Sequence, residues 1–235
     1  MASWQGKVAL VTGGNRGIGR GIAEALVKEG MQVAITARDA AAATAAAQAL
    51  GPNARGYALD VRRADQVAAV FAAVDRDFGG LDVLVNNAGI GIFGSIAETS
   101  LDDWHATVET NINGVFYCTR EAIPRMTKRG GGYIFNLSSL AGRNAFPGAG
   151  AYCASKHAVN GFSEVLFQEV REAGIRVTYL MPGSVATDFG RGMAAKQDWA
   201  LQPEDVGEMV VDLLHTHPRA LHSRVEMRPS RPRKG

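Results

Sequence analysis

Two residue types at one spacing open the case for chemistry: Tyr152 and Lys156, in the run Tyr152-Cys153-Ala154-Ser155-Lys156. On a helix, residues four apart share one face and lie about 6 Å apart along the axis. A phenol with an ordinary pKa near about 10 is a poor proton shuttle at neutral pH. A neighbouring ammonium stabilises the phenolate and lowers that pKa, so the spacing predicts a tyrosine able to act as general acid and general base. Upstream, after an apolar run, stand Ser138 and Ser139. A hydroxyl there can hydrogen-bond a substrate oxygen and steady the charge that develops on it. The spacing to Tyr152 favours Ser139, with Ser138 as the alternative. By itself a Tyr-x-x-x-Lys pair marks a helix surface; it acquires meaning from what precedes it in the chain.

What precedes it is a glycine turn, Thr12-Gly13-Gly14-Asn15-Arg16-Gly17-Ile18-Gly19, directly after the apolar run Val8–Val11. Gly13, Gly17 and Gly19 have the spacing G-x-x-x-G-x-G, suited to a tight turn that presents no Cβ to a pyrophosphate. The helix that follows offers free N–H groups and the positive end of its dipole, with Asn15, Arg16 and Ile18 beside the phosphates. The acidic residue that would hold a ribose 2′-hydroxyl about 20 positions further on is missing. Arg38 stands there instead, in Thr36-Ala37-Arg38-Asp39, and Arg16 lies inside the turn. Guanidinium groups bind phosphate through charge-assisted, bidentate hydrogen bonds, which favours NADP(H) over NAD(H). Asp39 complicates this, because it could pair with Arg38 or contact the ribose.

These residues need elements to hold them. Apolar runs at Val8–Val11, Gln32–Thr36, Gly56–Leu59, Leu81–Val85, Tyr133–Leu137, Val177–Leu180 and Val225–Met227 read as strands. Between them lie helical patterns at Arg16–Glu29, Ala40–Leu50, Ala64–Asp77, Leu101–Met126, Ala151–Ala173 and Pro203–Leu214, and Pro124 predicts a kink or an early stop in the long one. The alternation predicts an α/β fold, a parallel sheet with helices on both faces, and the near-continuous apolar strands fit burial on both sides. Ligands of such sheets bind beyond the carboxyl ends of the strands, and each candidate residue follows a strand. No linker divides the chain, so residues 1–235 read as one dinucleotide-binding and catalytic domain, with a short substrate lid at about 188–202 and a basic tail at about 228–235.

Taken together, the glycine turn, the serine and the Tyr-x-x-x-Lys pair resemble the short-chain dehydrogenase/reductase family in its ordinary short form, from about Lys7 to Val225. A further match is Asn86-Asn87-Ala88-Gly89 after the fourth strand. The resemblance implies a single Rossmann-type, doubly wound, three-layer α/β/α domain. It implies that Asp60 receives the adenine amino group with Val61 beside the ring, and that Asn86 and its neighbours Asn87, Ala88 and Gly89 line the cofactor cleft. It implies a catalytic asparagine on the long helix, matched by Asn111 with Asn113 as the nearby competitor, which would hold a water joining Lys156 to solvent. Lys156 would also bind the nicotinamide ribose. In the stretch Pro182-Gly183-Ser184-Val185-Ala186-Thr187, the resemblance places Thr187 at the carboxamide and Val185 near it, with Pro182 and Gly183 in the same wall. A homodimer or homotetramer packed through Leu101–Met126 and Ala151–Ala173 is also implied.

Composition narrows the rest. The formal net charge is +2, and from Arg219 onward six Lys and Arg stand against the single acid Glu226, so the body of the chain is slightly acidic. Nucleic-acid binding needs concentrated positive charge, which that body lacks. No apolar run is long enough to span a bilayer, and Met1–Lys7 is polar and unlike a signal peptide. Two cysteines, Cys118 and Cys153, make no disulfide framework or zinc pattern, and the five histidines form no metal-spaced cluster. A cytoplasmic setting, no metal and no membrane are the expectations. Ser139, Phe146 and Phe189 are the candidate substrate contacts, and Phe93, Met193 and Trp199 also fall in loops beyond strand ends. The expected reaction is NADP(H)-dependent hydride transfer between nicotinamide and a small-molecule carbonyl or secondary alcohol. The alternatives are an epimerase or dehydratase on the same scaffold, which usually carries a larger carboxy-terminal region, and a non-enzymatic NADP(H)-binding redox sensor, for which the catalytic trio would be superfluous.

Overall fold

Seven strands, all parallel, form one sheet in the order β3-β2-β1-β4-β5-β6-β7. They are β1 (Val8–Val11), β2 (Gln32–Ala37), β3 (Ala54–Ala58), β4 (Val83–Asn86), β5 (Gly132–Leu137), β6 (Ile175–Pro182) and β7 (Arg224–Met227). The computed structural model describes residues 3–189 and 199–231. Part of the expected lid, including Met193, and the end of the basic tail lie outside the described residues. The helices are α1 (Gly17–Lys28), α2 (Ala40–Leu50), α3 (Ala64–Phe78), α4 (Leu101–Val108), α5 (Gly114–Lys128), α6 (Gly150–Val170) and α7 (Pro203–His215).

Alternation along each strand builds the two cores. Val11, Ile35, Val85 and Phe135 pack on one side against Ile22 and Leu26 of α1 and Val206, Val210 and Leu213 of α7. Leu10, Leu84, Ile134 and Val177 pack on the other against Val70 and Phe71 of α3, Ala122 of α5 and Leu166 of α6. Both faces are covered, as the apolar strands require. The order reverses at β1, which is flanked by β2 and β4, so the loops after β1 and β4 part there and leave a crevice.

Two expectations about the long helix change. The pattern Leu101–Met126 is not continuous: a single wide turn, Glu109–Asn113, with π-type backbone bonding, separates α4 from α5. Such turns interrupt helices mostly at functional sites, and this one carries Asn111. Pro124 neither stops nor shortens α5, which continues to Lys128. Pro124 and Arg120 are both exposed, so water can serve the backbone carbonyl that proline leaves without a donor.

Candidate active site

A cleft of about 760 Å³ runs across the carboxyl ends of the strands. At its floor the glycine turn leaves β1. Gly17 sits at φ +53° and faces Thr187, so a side chain there would be strained. Gly19 abuts both Gly13 and Asn87, and a Cβ would collide with them. Asn87 in turn donates from Nδ2 to the carbonyl oxygens of Thr12 (2.8 Å) and Gly13 (3.1 Å). The Thr12 hydroxyl accepts from the backbone N–H groups of Asn87 and Ala88, both at 3.0 Å. The loops after β1 and β4 are thereby tied together, and the open N-terminus of α1 faces the cleft. Thr12 escaped the sequence reading, because a threonine before a glycine turn carries no signal of its own. This bare-backbone cradle fits a pyrophosphate.

Gly13, Asn15, Arg16, Gly17, Ile18 and Gly19 all line this end, and so do Arg38, Asp60 and Val61. Arg16 and Arg38 are exposed and make no ion pair among the described residues. Asp39 turns away: its carboxylate accepts the Ala42 N–H at 2.6 Å and caps α2. Asp60 is gripped by Arg62, whose Nε and Nη2 donate at 2.9 and 2.5 Å, and this contact holds its carboxyl below the usual range. Arg62, also in the cleft wall, was not foreseen.

Asn86 is a correction. It does not line the cleft but lies buried beneath the sheet, donating from Nδ2 to Asn136 Oδ1 (2.8 Å) and Thr119 Oγ1 (3.1 Å). As the last residue of β4 it shares a face with Leu84, which packs toward α5, so strand alternation carries the signal that separates it from Asn87. Asn87, Ala88 and Gly89 do line the cleft.

The catalytic candidates converge at the centre. β5 ends at Leu137 and delivers Ser138 and Ser139, and α6 brings Tyr152 and Lys156 on one face. Ser138 is committed elsewhere, donating to Asn160 Oδ1 at 2.5 Å and to the Lys156 carbonyl at 3.3 Å. Ser139 starts the short turn Leu140–Gly142, accepts the Ala141 N–H at 3.1 Å and faces the Tyr152 hydroxyl. Asn160, which the sequence reading missed, also donates to the Gly142 carbonyl at 2.9 Å and so pins the Ser139 loop to α6. Asn111 is 1% exposed and exchanges hydrogen bonds with both backbone groups of Ile90 at 2.9 Å. Its Nδ2 also reaches Ser155 Oγ at 3.0 Å. A Cβ on Gly89 would lie 3.2 Å from Asn111 Oδ1 and 3.8 Å from Lys156 Nζ, so both side chains border Gly89. Neither Asn111 nor Asn113 lines the cleft itself, and Asn111 borders it through Ile90 and Gly89.

The Lys156 ammonium donates to the Leu137 carbonyl at 2.7 Å and lies 5.7 Å from the Tyr152 ring centre. It is buried with no carboxylate beside it among the described residues, and burial lowers its pKa from 10.5 to about 8. Tyr152 differs from expectation. Burial raises its pKa, and the Ser139 hydroxyl only partly opposes the rise. The ammonium is held by a carbonyl rather than by the phenol oxygen, so desolvation prevails. Pro182, Gly183, Val185 and Thr187 close the opposite wall. Phe146 and Phe189 also line the cleft, as does Phe93, while Trp199 does not. Ser139, Tyr152, Lys156 and the glycine turn thus share one cleft.

Comparison with known proteins agrees with this geometry. The family model for short chain dehydrogenases matches residues 7–198. The 3-oxoacyl-(acyl-carrier-protein) reductase FabG of Haemophilus influenzae is 37% identical over 193 residues, covering 82% of this chain and 80% of that protein. A metagenomic short-chain oxidoreductase solved with NADP is 34% identical, with a TM-score of 0.86 over 98% of this chain and 100% of that one. The 3-ketoacyl-(acyl-carrier-protein) reductase of Brucella melitensis, solved with NADH, is 29% identical with a TM-score of 0.91, over 97% and 99% of the two chains. This chain belongs to the short-chain dehydrogenase/reductase family, and it is a nicotinamide-dependent oxidoreductase working between CH–OH and C=O groups.

Proposed function

We propose that the protein is an NADP(H)-dependent carbonyl reductase or alcohol dehydrogenase in which Tyr152 is the general acid and base. The observation that carries this is the convergence of Ser139, Tyr152 and Lys156 in a cleft whose far end presents Arg16 and Arg38. The bound nicotinamide supplies the hydride in reduction and accepts it in oxidation. Ser139 hydrogen-bonds the substrate oxygen. In reduction the Tyr152 hydroxyl gives its proton to that oxygen; in oxidation the phenolate takes the proton from the alcohol. The raised pKa keeps Tyr152 protonated at neutral pH, the form reduction needs. Lys156 and Asn111, lying behind Tyr152, lead the replacement proton in from solvent, and Lys156 binds the ribose hydroxyls.

At the other end Arg38 and Arg16 hold the 2′-phosphate. Asp39 does not compete, because its carboxylate is occupied as a helix cap. Asp60 and Val61 flank the adenine, while Asn87, Ala88, Gly89, Pro182, Gly183, Val185 and Thr187 line the rest of the cofactor path. Phe146 and Phe189 with Ser139 contact the substrate. A second copy packs through α5 and α6, where Phe116 and Val165 stand exposed; Phe116→Glu should yield a smaller species in sedimentation.

The test is a titration of tryptophan fluorescence with NADPH and NADH, followed by turnover. NADPH should bind clearly tighter, Arg38→Ala should erase the difference, and Tyr152→Phe should lower kcat by about 10³-fold while leaving NADPH binding in place. Equal binding of NADH would overturn the phosphate clamp, and full turnover by Tyr152→Phe would overturn the assignment of the proton donor.

A further inference from the structure

We infer that the substrate end of this cleft selects uncharged carbonyl compounds bearing a flat ring next to the carbonyl, and that Phe93 is the side chain that sets this selectivity. The inference rests on the carbonyl-reducing activity proposed above and names the substrate class for that same site.

Two phenylalanines flank the Tyr152 ring, and a third stacks on one of them. Phe93 approaches the Tyr152 ring edge-on, with ring centres 5.6 Å apart and planes at 62°. Phe189 lies on another side at 5.7 Å and 53°. Phe93 stacks in turn on Phe146 at 6.4 Å and 26°. Apolar rings of this size are normally turned into the core. Here Phe93 is 48%, Phe146 49% and Phe189 37% exposed, and all three face the cleft. They come from three separate loops, after β4, β5 and β6, so no single local packing motif explains their meeting. Gly91 makes room for them: a Cβ there would stand 2.6 Å from Phe189 Cε1 and 3.1 Å from Phe93 Cε2. A glycine lying under two rings that stay partly exposed to the cleft leaves, among the described residues, room for another ring beside them. Aromatic surfaces prefer offset or edge-to-face partners, and each such contact is worth roughly threefold to tenfold in binding.

Charge sorts the same way. The described cations that are free to meet an anion in the cleft wall, Arg16 and Arg38, lie at the far end beside the glycine turn and the end of β2. The loops that carry the three rings also give the cleft Ile90, Leu140, Ala141 and Asn144, and the charged Asp188. Lys156 is turned to the Leu137 carbonyl behind Tyr152. A carboxylate on the substrate would meet apolar rings and one anion, and would lose its hydration for no ionic partner among the described residues. An unbranched acyl chain would fill that room but gain little from ring geometry. Phe93 is the pivot, because it touches both Tyr152 and Phe146 and so fixes the plane beside the proton donor.

The experiment compares kcat/KM with NADPH for phenyl methyl ketone, 2-octanone, 4-acetylbenzoate and the acetoacetyl thioester of N-acetylcysteamine. All four present a ketone, and they differ in ring, charge and chain. The phenyl ketone should lead 2-octanone and the thioester by about tenfold and 4-acetylbenzoate by more. Phe93→Leu keeps an apolar side chain but removes the ring, and should pull the phenyl-to-octanone ratio down to about two, with NADPH quenching retained as proof of an intact cleft. Preference for the octanone, the carboxylate or the thioester overturns the inference alone. So does a ratio that Phe93→Leu leaves unchanged. Tight NADPH binding with no reduction of any of the four overturns the carbonyl-reducing activity and this inference with it.

Discussion

Asp82 and Lys156 are two buried charges at opposite ends of one sheet, and the protein treats them in opposite ways. Asp82 precedes β4 at the amino end and is 4% exposed. Its carboxylate accepts from Val8 N–H at 2.9 Å and from Arg129 Nε and Nη2 at 2.9 and 3.0 Å, with Lys7 Nζ at 3.4 Å. Lys156 lies at the carboxyl end, 6% exposed, and among the described residues its ammonium has the Leu137 carbonyl as its one hydrogen-bond partner. One charge is neutralised and serves to tie β1, β4 and α5 together. The other has no opposite charge beside it among the described residues, at a cost in desolvation, where the proposed reaction would use a proton reservoir. The same division runs along the chain beside the cleft: Asp39 is engaged as a cap while Arg38 next to it makes no ion pair among the described residues.

Exchanging the two ends breaks the comparison most forcefully through activity. Lys156→Met should lower kcat by at least about 100-fold while the protein stays folded. Asp82→Ala should do the reverse. It should cost about 3 kcal/mol in urea unfolding, because Arg129 and the Val8 N–H lose their acceptor, and leave kcat per folded molecule within about twofold. If Asp82→Ala abolished turnover in the folded protein, or Lys156→Met unfolded it, the assignment of one end to stability and the other to chemistry would be wrong.

A pH series sharpens the same contrast. The folded Lys156 pKa is depressed to about 8 from an unfolded 10.5. Between those values the unfolded chain binds the extra proton, so the penalty is present below pH 8 and is relieved as pH rises toward 10.5. Lys156→Met removes the penalty and also the bond to Leu137. Its stability relative to the parent should therefore fall by about 2–3 kcal/mol between pH 7 and pH 10. A pH-independent difference would mean that the folded Lys156 keeps an ordinary lysine pKa and stays charged across this range. Alcohol oxidation should climb across the alkaline range, since it requires the Tyr152 phenolate, whose formation burial opposes.

Much of this arrangement was legible in the chain. The strands showed as apolar runs because both faces of the sheet are covered, and the glycine turn and the Tyr152–Lys156 pair showed because their spacing along the chain already puts each on one side of the cleft. What stayed hidden depends on partners distant in sequence. The wide turn at Glu109–Asn113 gave no local sign, since the side chain at its centre, Asn111, is held by Ile90 and Ser155. The role of Asn160 requires the Ser138–Ser139 loop to be folded over α6. The direction of the Tyr152 shift could not come from spacing, because it turns on where the Lys156 ammonium points and how much water the fold removes. Asn86 was misplaced for a simpler reason: the motif was read as a block, although alternation in β4 already separates it from Asn87.

The smallest effect tests the neighbours Arg38 and Asp39. Asp39 accepts the Ala42 N–H at 2.6 Å and starts α2, so Asp39→Ala should cost about 1 kcal/mol of stability, the ordinary loss of an N-cap. Cofactor choice should respond weakly, because the carboxylate removed was engaged with the helix and not with the cleft. The NADPH-to-NADH affinity ratio should rise by no more than about threefold, the effect of deleting one exposed, screened negative charge near a phosphate. A tenfold or greater rise would mean that Asp39 leaves its cap to meet the ribose when cofactor binds. The two adjacent charges would then both belong to the cleft, and the separation between charges held by structure and charges left for ligands would end at this residue.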